Sequence, residues 1–166
     1  KMSIIMLKGV SVLALCGAVY GSLKAVVQYK ATHTSAYMGV ALYSILWWYL
    51  ANTGTYTPQA VAYASAVSLV ISGLFFAWHG VRARYGDTNL DMIGGLARPM
   101  PRFSILLSLL VMAAVGLPPF GLFSGYMEML FHPSITMSWE LIIILLSWLA
   151  VSWYLFKLMQ RLLFGP

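Results

Sequence analysis

Charge is what this sequence has least of. Only 8% of its 166 residues are Asp, Glu, Lys or Arg, where a soluble globular domain carries about a quarter. Acidic residues are scarcer still, four against ten Lys and Arg. The single cysteine, Cys16, cannot form an internal bridge, which excludes a secreted disulfide scaffold. With 61% hydrophobic residues the chain is no solvated coil either. Four carboxylates are too few for a metal cage, and there is no Walker loop, dinucleotide glycine fingerprint, C-x-x-C pair or H-E-x-x-H. His33, His79 and His132 lie at separate junctions and give haem or iron–sulfur ligation weak support, so no cofactor is expected in this chain. What remains is a chain built for the lipid bilayer.

Five apolar stretches are present, at about residues 3–27, 34–51, 60–81, 103–131 and 138–162. With roughly 20 residues needed per spanning helix, five crossings fit the length. Runs such as LSLLVMAAV and ELIIILLSWLAV do not alternate in polarity, as membrane β-strands must, so the fold class is all-α: one polytopic transmembrane helix bundle over 1–166. Within the fourth stretch, Pro118 and Pro119 remove two backbone donors and bar the preceding residue from helical geometry. That stretch is expected to be two half-helices, with the break buried against protein and the carbonyls of about Ala114 and Val115 finding polar partners. Trp47, Trp48, Tyr49, Trp78 and Trp139 fall near segment ends, where aromatic residues form interfacial belts.

The net charge of +6 looks like a nucleic-acid signal until its positions are read. If the five segments alternate, Lys24, Lys30, Arg82, Arg84, Arg98, Arg102, Lys157 and Arg161 all fall on one side and the opposite loops carry none. By the positive-inside rule that side is cytoplasmic, which places the N-terminus outside and the C-terminus inside; no nucleic-acid partner is expected. Lys1-Met2-Ser3 opens an apolar run, yet no small-residue cleavage site follows. An outside N-terminus without an export signal suggests the later part of a longer protein, or a partner that supplies earlier helices.

Ionisable groups in apolar helices are costly and are functional candidates by default. Lys8 lies within IIMLKGVSVLAL, either snorkelling to headgroups or buried with a proton to exchange. Lys24, Lys30 and His33 gather at the junction of the first two segments, as positive-side anchors or as a proton relay. Glu128 follows the proline break, where broken helices line polar cavities or protein interfaces. Glu140 is a weaker candidate, because the start of a helix favours an acid in any case. His79, between Trp78 and Arg82, reads as an interface residue.

The stretch from 88 to about 132 carries, in order, Asp91 with Gly94-Gly95-Leu96, Pro99-Met100-Pro101, Gly116-Leu117-Pro118-Pro119 and Gly121-Leu122-Phe123-Ser124-Gly125. In this order it resembles the antiporter-like proton-conducting membrane subunits of complex I, a family that includes subunits of membrane-bound hydrogenases, multi-subunit cation/proton antiporters and bicarbonate-accumulating complexes. YGSLKAVVQ, SAYMGVAL and WYLFKLMQRLLFGP are similar to its other helix signatures, covering the later half of a typical member. Where that pattern has an H-M-G histidine this chain has Tyr37, where it has an intramembrane histidine it has Val67, and where it has a post-break Lys or Glu it has Tyr126. Lys30 is an approximate counterpart of its lysine, and Glu128 is displaced by two positions, about 200° round a helix.

The resemblance implies a membrane subunit of a complex-I-like ion-translocating assembly, partnered by other membrane subunits and moving protons along buried lysines, a histidine and a glutamate. Any enzyme activity would belong to the proton-translocating oxidoreductase as a whole. The alternative is a degenerate scaffold or anchor that keeps the broken helix without its own proton path. An independent transporter fits less well, since five helices carry no internal inverted repeat. The charge asymmetry makes one expectation testable: in Thr55→Cys, the introduced thiol labels from the side opposite the 82–102 loop, and labelling from the cytoplasm overturns the assigned topology.

Overall fold

The computed structural model describes residues 4–86, 94–133, 135 and 138–165. The described residues form six helices: α1 (Ile4–Val27), α2 (Ala31–Thr53), α3 (Pro58–Tyr85), α4 (Pro101–Val115), α5 (Gly121–Leu130) and α6 (Trp139–Phe164). No β-strand is present among the described residues. The five apolar stretches are all helical, and the fourth is divided between α4 and α5, as the prolines require.

Three helices, α1, α3 and α6, are long and apolar enough to cross a membrane unaided. The other two crossings differ from the simple reading of five equivalent spans, for distinct reasons. At 23 residues α2 is long enough, but Thr, Ser, His and several aromatic side chains dilute it; half of it is buried against its neighbours. By itself α4, at 15 residues, rises only about 22 Å, short of a bilayer core, so α4 and α5 share a crossing.

Helix ends follow the local sequence. α2 stops at Gly54 (φ 66°), whose N–H bonds to the Leu50 carbonyl at 2.9 Å. Thr57 caps α3, accepting from the Ala60 N–H at 3.3 Å, with Pro58 in the first turn where its missing donor is harmless. The Gly94-Gly95-Leu96 turn laces onto the far end of α6: the N–H groups of Leu96 and Ala97 donate to the carbonyls of Leu162 (2.9 Å) and Leu163 (3.2 Å). Those carbonyls belong to a helix terminus and have no partner within α6. Asp87 and Asp91 lie outside the described residues.

In the bundle α2 packs against α1, α3 and α6, while α4 bridges α3 and α6, and α5 lies on α3. Lipid tails are as apolar as leucine, so close backbone approach and interhelical hydrogen bonds replace hydrophobic collapse as the source of cohesion. Both are present. Gly17 and Gly21, four residues apart, face α2, and a β-carbon on Gly21 would meet the Ala41 nitrogen at 2.7 Å and the Tyr37 carbonyl at 2.8 Å. Trp78 Nε1 donates to Ser35 Oγ at 2.7 Å, Tyr63 Oη to the Leu42 carbonyl at 3.1 Å, and the Tyr43 and Ser68 hydroxyls pair at 2.6 Å, all joining α2 to α3. Tyr154 Oη reaches the Gln28 carbonyl at 3.3 Å and ties α6 to the α1–α2 corner. Outward faces are apolar, with Leu13, Phe76 and Trp153 each more than 70% exposed, as suits a lipid-facing surface.

The expected aromatic belt is only partly formed. Trp47 and Trp139 are exposed, but Trp48, Tyr49 and Trp78 are buried, because each has a hydrogen-bond partner on its own or an adjacent element: Glu140, Thr57 and Ser35 respectively. An aromatic ring with a polar tip near a helix end serves an interior contact as readily as a headgroup.

The Gly21 contact is backbone to backbone and cannot yield by rotating a side chain. Gly21→Leu is expected to separate α1 from α2 at a cost of about 1–3 kcal/mol or more, seen as a several-fold loss of monodisperse protein in detergent chromatography. Gly9→Ala, at a position with nothing within 4 Å, should behave as the unaltered chain.

Candidate functional site at the broken helix

The interruption begins where α4 ends on Gly116 (φ 74°). Local turns absorb most of the displaced bonding: Gly116 N–H to Ala113 O (3.2 Å), Leu117 N–H to Met112 O (3.2 Å) and Phe120 N–H to Leu117 O (3.0 Å). Ser152 of α6 then donates its hydroxyl to the Val115 carbonyl at 3.3 Å. One of the two carbonyls expected to need a partner thus receives one from a side chain on a neighbouring helix. Pro118 and Pro119 themselves are exposed on the surface of this chain, while Ala114 and Gly116 beside them are buried. The physical reason is that a proline ring has no N–H to satisfy, so it is the residue a broken helix can turn outward at least cost.

Beyond the break, α5 lies directly on α3. A β-carbon on Gly125 would sit 3.0 Å from both the nitrogen and the α-carbon of Tyr63, so glycine sets the approach. The next residue, Tyr126, is fully buried, stacked on Trp148 at 4.7 Å between centroids and 6.3 Å from the Tyr63 ring. Val67, one turn beyond Tyr63, is also fully buried. At the two positions where the family pattern places a histidine and a Lys or Glu, the interior is therefore neutral. Tyr126 Oη and Trp148 Nε1 are buried polar atoms with no hydrogen-bond partner among the described residues. A cleft of about 470 Å³ beside the break, between α3, α4 and α5, is walled by side chains such as Ala66, Leu69, Leu110 and Phe120, with Ser65 and Ser124 the polar side chains among its lining residues.

The ionisable candidates sit on the outside of the bundle in separate places. Lys8 is exposed on α1, one turn before Ser11. Lys24 is exposed in the last turn of α1, its Nζ 6.0 Å from the centroid of the Tyr20 ring. Lys30, also exposed, is the residue preceding α2, and its carbonyl accepts from the Thr34 N–H (3.0 Å) and hydroxyl (3.2 Å). His33 is exposed in the first turn of α2. Glu128 is exposed on α5. It lies one turn from His132, whose ring is 5.7 Å from Tyr49 near the far end of α2. Lys30 to Tyr49 is about 28 Å of helix. The structure brings Lys24, Lys30 and His33 to one end and leaves Glu128 and Lys8 toward the other.

Glu140 is more than a dipole-favoured acid. Its Oε2 accepts from Trp48 Nε1 at 2.9 Å and from Ser11 Oγ at 3.3 Å, while Asn52 Nδ2 donates to Ser11 Oγ (3.4 Å) and to the Trp48 carbonyl (2.9 Å). This network closes α1, α2 and α6 together at the end opposite the basic loops. Its sequence signal was the rarity of acids in an apolar chain; the partners, 92 and 129 residues distant, gave none. No group of three or more His, Cys, Asp or Glu that could hold a metal occurs among the described residues.

A helical bundle with a proline-interrupted span and polar ties across its helices defines an integral membrane protein of the polytopic helical class. The chain belongs to the NADH:quinone oxidoreductase/Mrp antiporter transmembrane family, whose model matches residues 1–152. It is 32% identical over 126 residues to two Mycobacterium tuberculosis proteins, uncharacterized protein Rv0083 of strain H37Rv and uncharacterized protein MT0090 of strain CDC 1551, an overlap of 66% of this chain and 19% of each relative. Chains of respiratory complex I from Thermus thermophilus share the fold. One from the complex with bound NADH superposes with a TM-score of 0.84 at 23% identity, covering 96% of this chain and 34% of that one. Another, from the complex with bound Aureothin, gives 0.77 at 22% identity, over 96% and 36%. This chain thus spans about a fifth of the mycobacterial relatives and a third of the solved chains.

The Glu140 network predicts its own test. Glu140→Ala leaves the Trp48 indole and the Ser11 hydroxyl without their acceptor, at about 1–3 kcal/mol, and is expected to lower the unfolding temperature in detergent by several degrees. Glu140→Gln keeps an accepting oxygen and should lose clearly less.

Proposed function

We propose that this chain is part of a membrane subunit in a complex-I-like ion-translocating assembly, and that it contributes to proton translocation coupled to a redox or exchange partner. The observation that carries the reading is the placement of Lys24, Lys30, His33 and Glu128 on outward faces of a bundle that spans only about a third of the related solved chains. Charges on such faces are expensive against lipid and become useful when neighbouring helices cover them. The proton route then runs along the boundary between this bundle and adjacent helices, with the cluster of Lys24, Lys30 and His33 serving one side of the membrane and Glu128 the other. In this reading the basic loops face the cytoplasm, the N-terminus lies outside, and the partners are other membrane subunits.

A second reading is favoured by a specific observation: Val67 and Tyr126 are fully buried and neutral in the interior, and Tyr126 packs between the rings of Tyr63 and Trp148 just beyond the break. On that reading the chain is a scaffold that retains the broken helix without a proton path.

The two readings separate in one measurement. If Lys30 and Glu128 pass protons, the double substitution Lys30→Ala with Glu128→Gln lowers proton uptake by the assembled complex in vesicles at least tenfold while complex yield is unchanged, since neither side chain packs in the core. Normal uptake in that variant overturns the proton-path assignment and leaves the scaffold.

A further inference from the structure

Where α3 ends and α4 begins, a groove of about 570 Å³ opens on the surface. Arg84 and Arg102 line it together with Gly80, Pro99, Met100 and Phe103. Both arginines are exposed, and neither has an ion-pair or hydrogen-bond partner among the described residues. Two guanidinium groups lining one apolar groove favour an anion with several oxygens.

A second observation points to the same ligand charge. α4 starts at this groove with Met100 as its N-cap, no side-chain cap and Pro101 in the first turn. The positive end of a 15-residue helix is therefore left without the acceptor that Ser, Thr, Asp or Asn would supply. The groove lies at the basic end of the bundle, because the turn that leads into α4 is laced to the end of α6 and Trp78 ties this end of α3 to the start of α2. In a membrane-spanning chain that end sits at headgroup depth, where phosphate meets acyl chains. The lining matches both halves: two guanidiniums and a helix start for the phosphate, Met100, Phe103 and the prolines for the chain beneath it.

We propose that the α3–α4 groove binds the headgroup of an anionic phospholipid, held by Arg84, Arg102 and the start of α4. This rests on the membrane location of the chain and is independent of any proton path.

The test uses the membrane assembly containing the full chain, stripped of lipid in detergent and titrated with phosphatidylglycerol, phosphatidylcholine or inorganic phosphate. Phosphatidylglycerol should bind and phosphatidylcholine should not. Arg84→Gln and Arg102→Gln should each weaken binding roughly 5-fold and together about 25-fold. Arg82→Gln, which removes the same charge at a position outside the groove, should leave it unchanged. An equal loss in Arg82→Gln overturns the proposal in favour of a diffuse positive surface, and full competition by millimolar inorganic phosphate overturns it in favour of a free-phosphate site. Should the double variant fail to assemble, a photoreactive phosphatidylglycerol on the unaltered protein decides: crosslinks on peptides carrying Met100 to Phe103 support the site, and crosslinks elsewhere, or an acidic segment of a neighbouring subunit found seated in the groove, overturn it.

Discussion

A broken helix inside a bilayer frees backbone carbonyls and amides where water is not on hand to take them, and each one left bare costs several kcal/mol. Much of this bundle is arranged around that constraint at Gly116 to Phe120. Tight turns recover the amides, and the Ser152 hydroxyl reaches from α6 to the Val115 carbonyl. Because α6 is needed at the break, it must pack on α4; because α5 must continue the crossing from a new direction, it settles on α3 through the Gly125 contact. The stack of Tyr126 on Trp148 then closes the space between the two half-helices and α6 with rings rather than water-binding side chains.

The helices themselves were largely legible from the amino-acid order, since apolar run length, Pro118-Pro119, Gly54 and the Thr57-Pro58 start are all local signals. Family membership was legible too, through the spacing of Gly94-Gly95-Leu96, the Pro-Met-Pro stretch and the Gly-Leu-Pro-Pro break, which together with the upstream helices fall within the matched span of 1–152. What could not be read was pairing across the bundle. Trp48 and Trp78 looked interfacial because periodicity reports only that a ring lies near a helix end, whereas their burial depends on Glu140 and Ser35 in other helices. The importance of Glu140 was missed for the same reason: a helix-start acid has a sufficient local explanation, and its partners are far away in sequence. The outward turn of Pro118 and Pro119 was also hidden, because sequence shows where a helix must break and not toward which side the break points.

The interior and the surface divide the polar groups differently. Inside, the Tyr63 hydroxyl and the Trp48 and Trp78 indoles bond to a carbonyl, to Glu140 and to Ser35, Tyr126 Oη and Trp148 Nε1 have no partner among the described residues, and the described core contains no lysine, arginine or histidine. Outside, lysines, arginines and Glu128 stand on apolar faces. Such an arrangement keeps fixed charges away from the helix contacts that hold the bundle and reserves them for whatever lies against it, consistent with a chain that covers only part of its relatives' length.

The lacing of the Gly94-Gly95-Leu96 turn to the last carbonyls of α6 has a mechanical consequence. Two amide-to-carbonyl bonds, Leu96 to Leu162 and Ala97 to Leu163, act as a clasp between a connecting segment and a helix 26 residues long. A sliding motion of α6 along its own axis must either rupture both bonds or carry the base of α4 with it. Since the other end of α6 is pinned to α1 and α2 through Glu140, the helix is held at both ends, and a displacement at one of them loads the hydrogen bonds at the other.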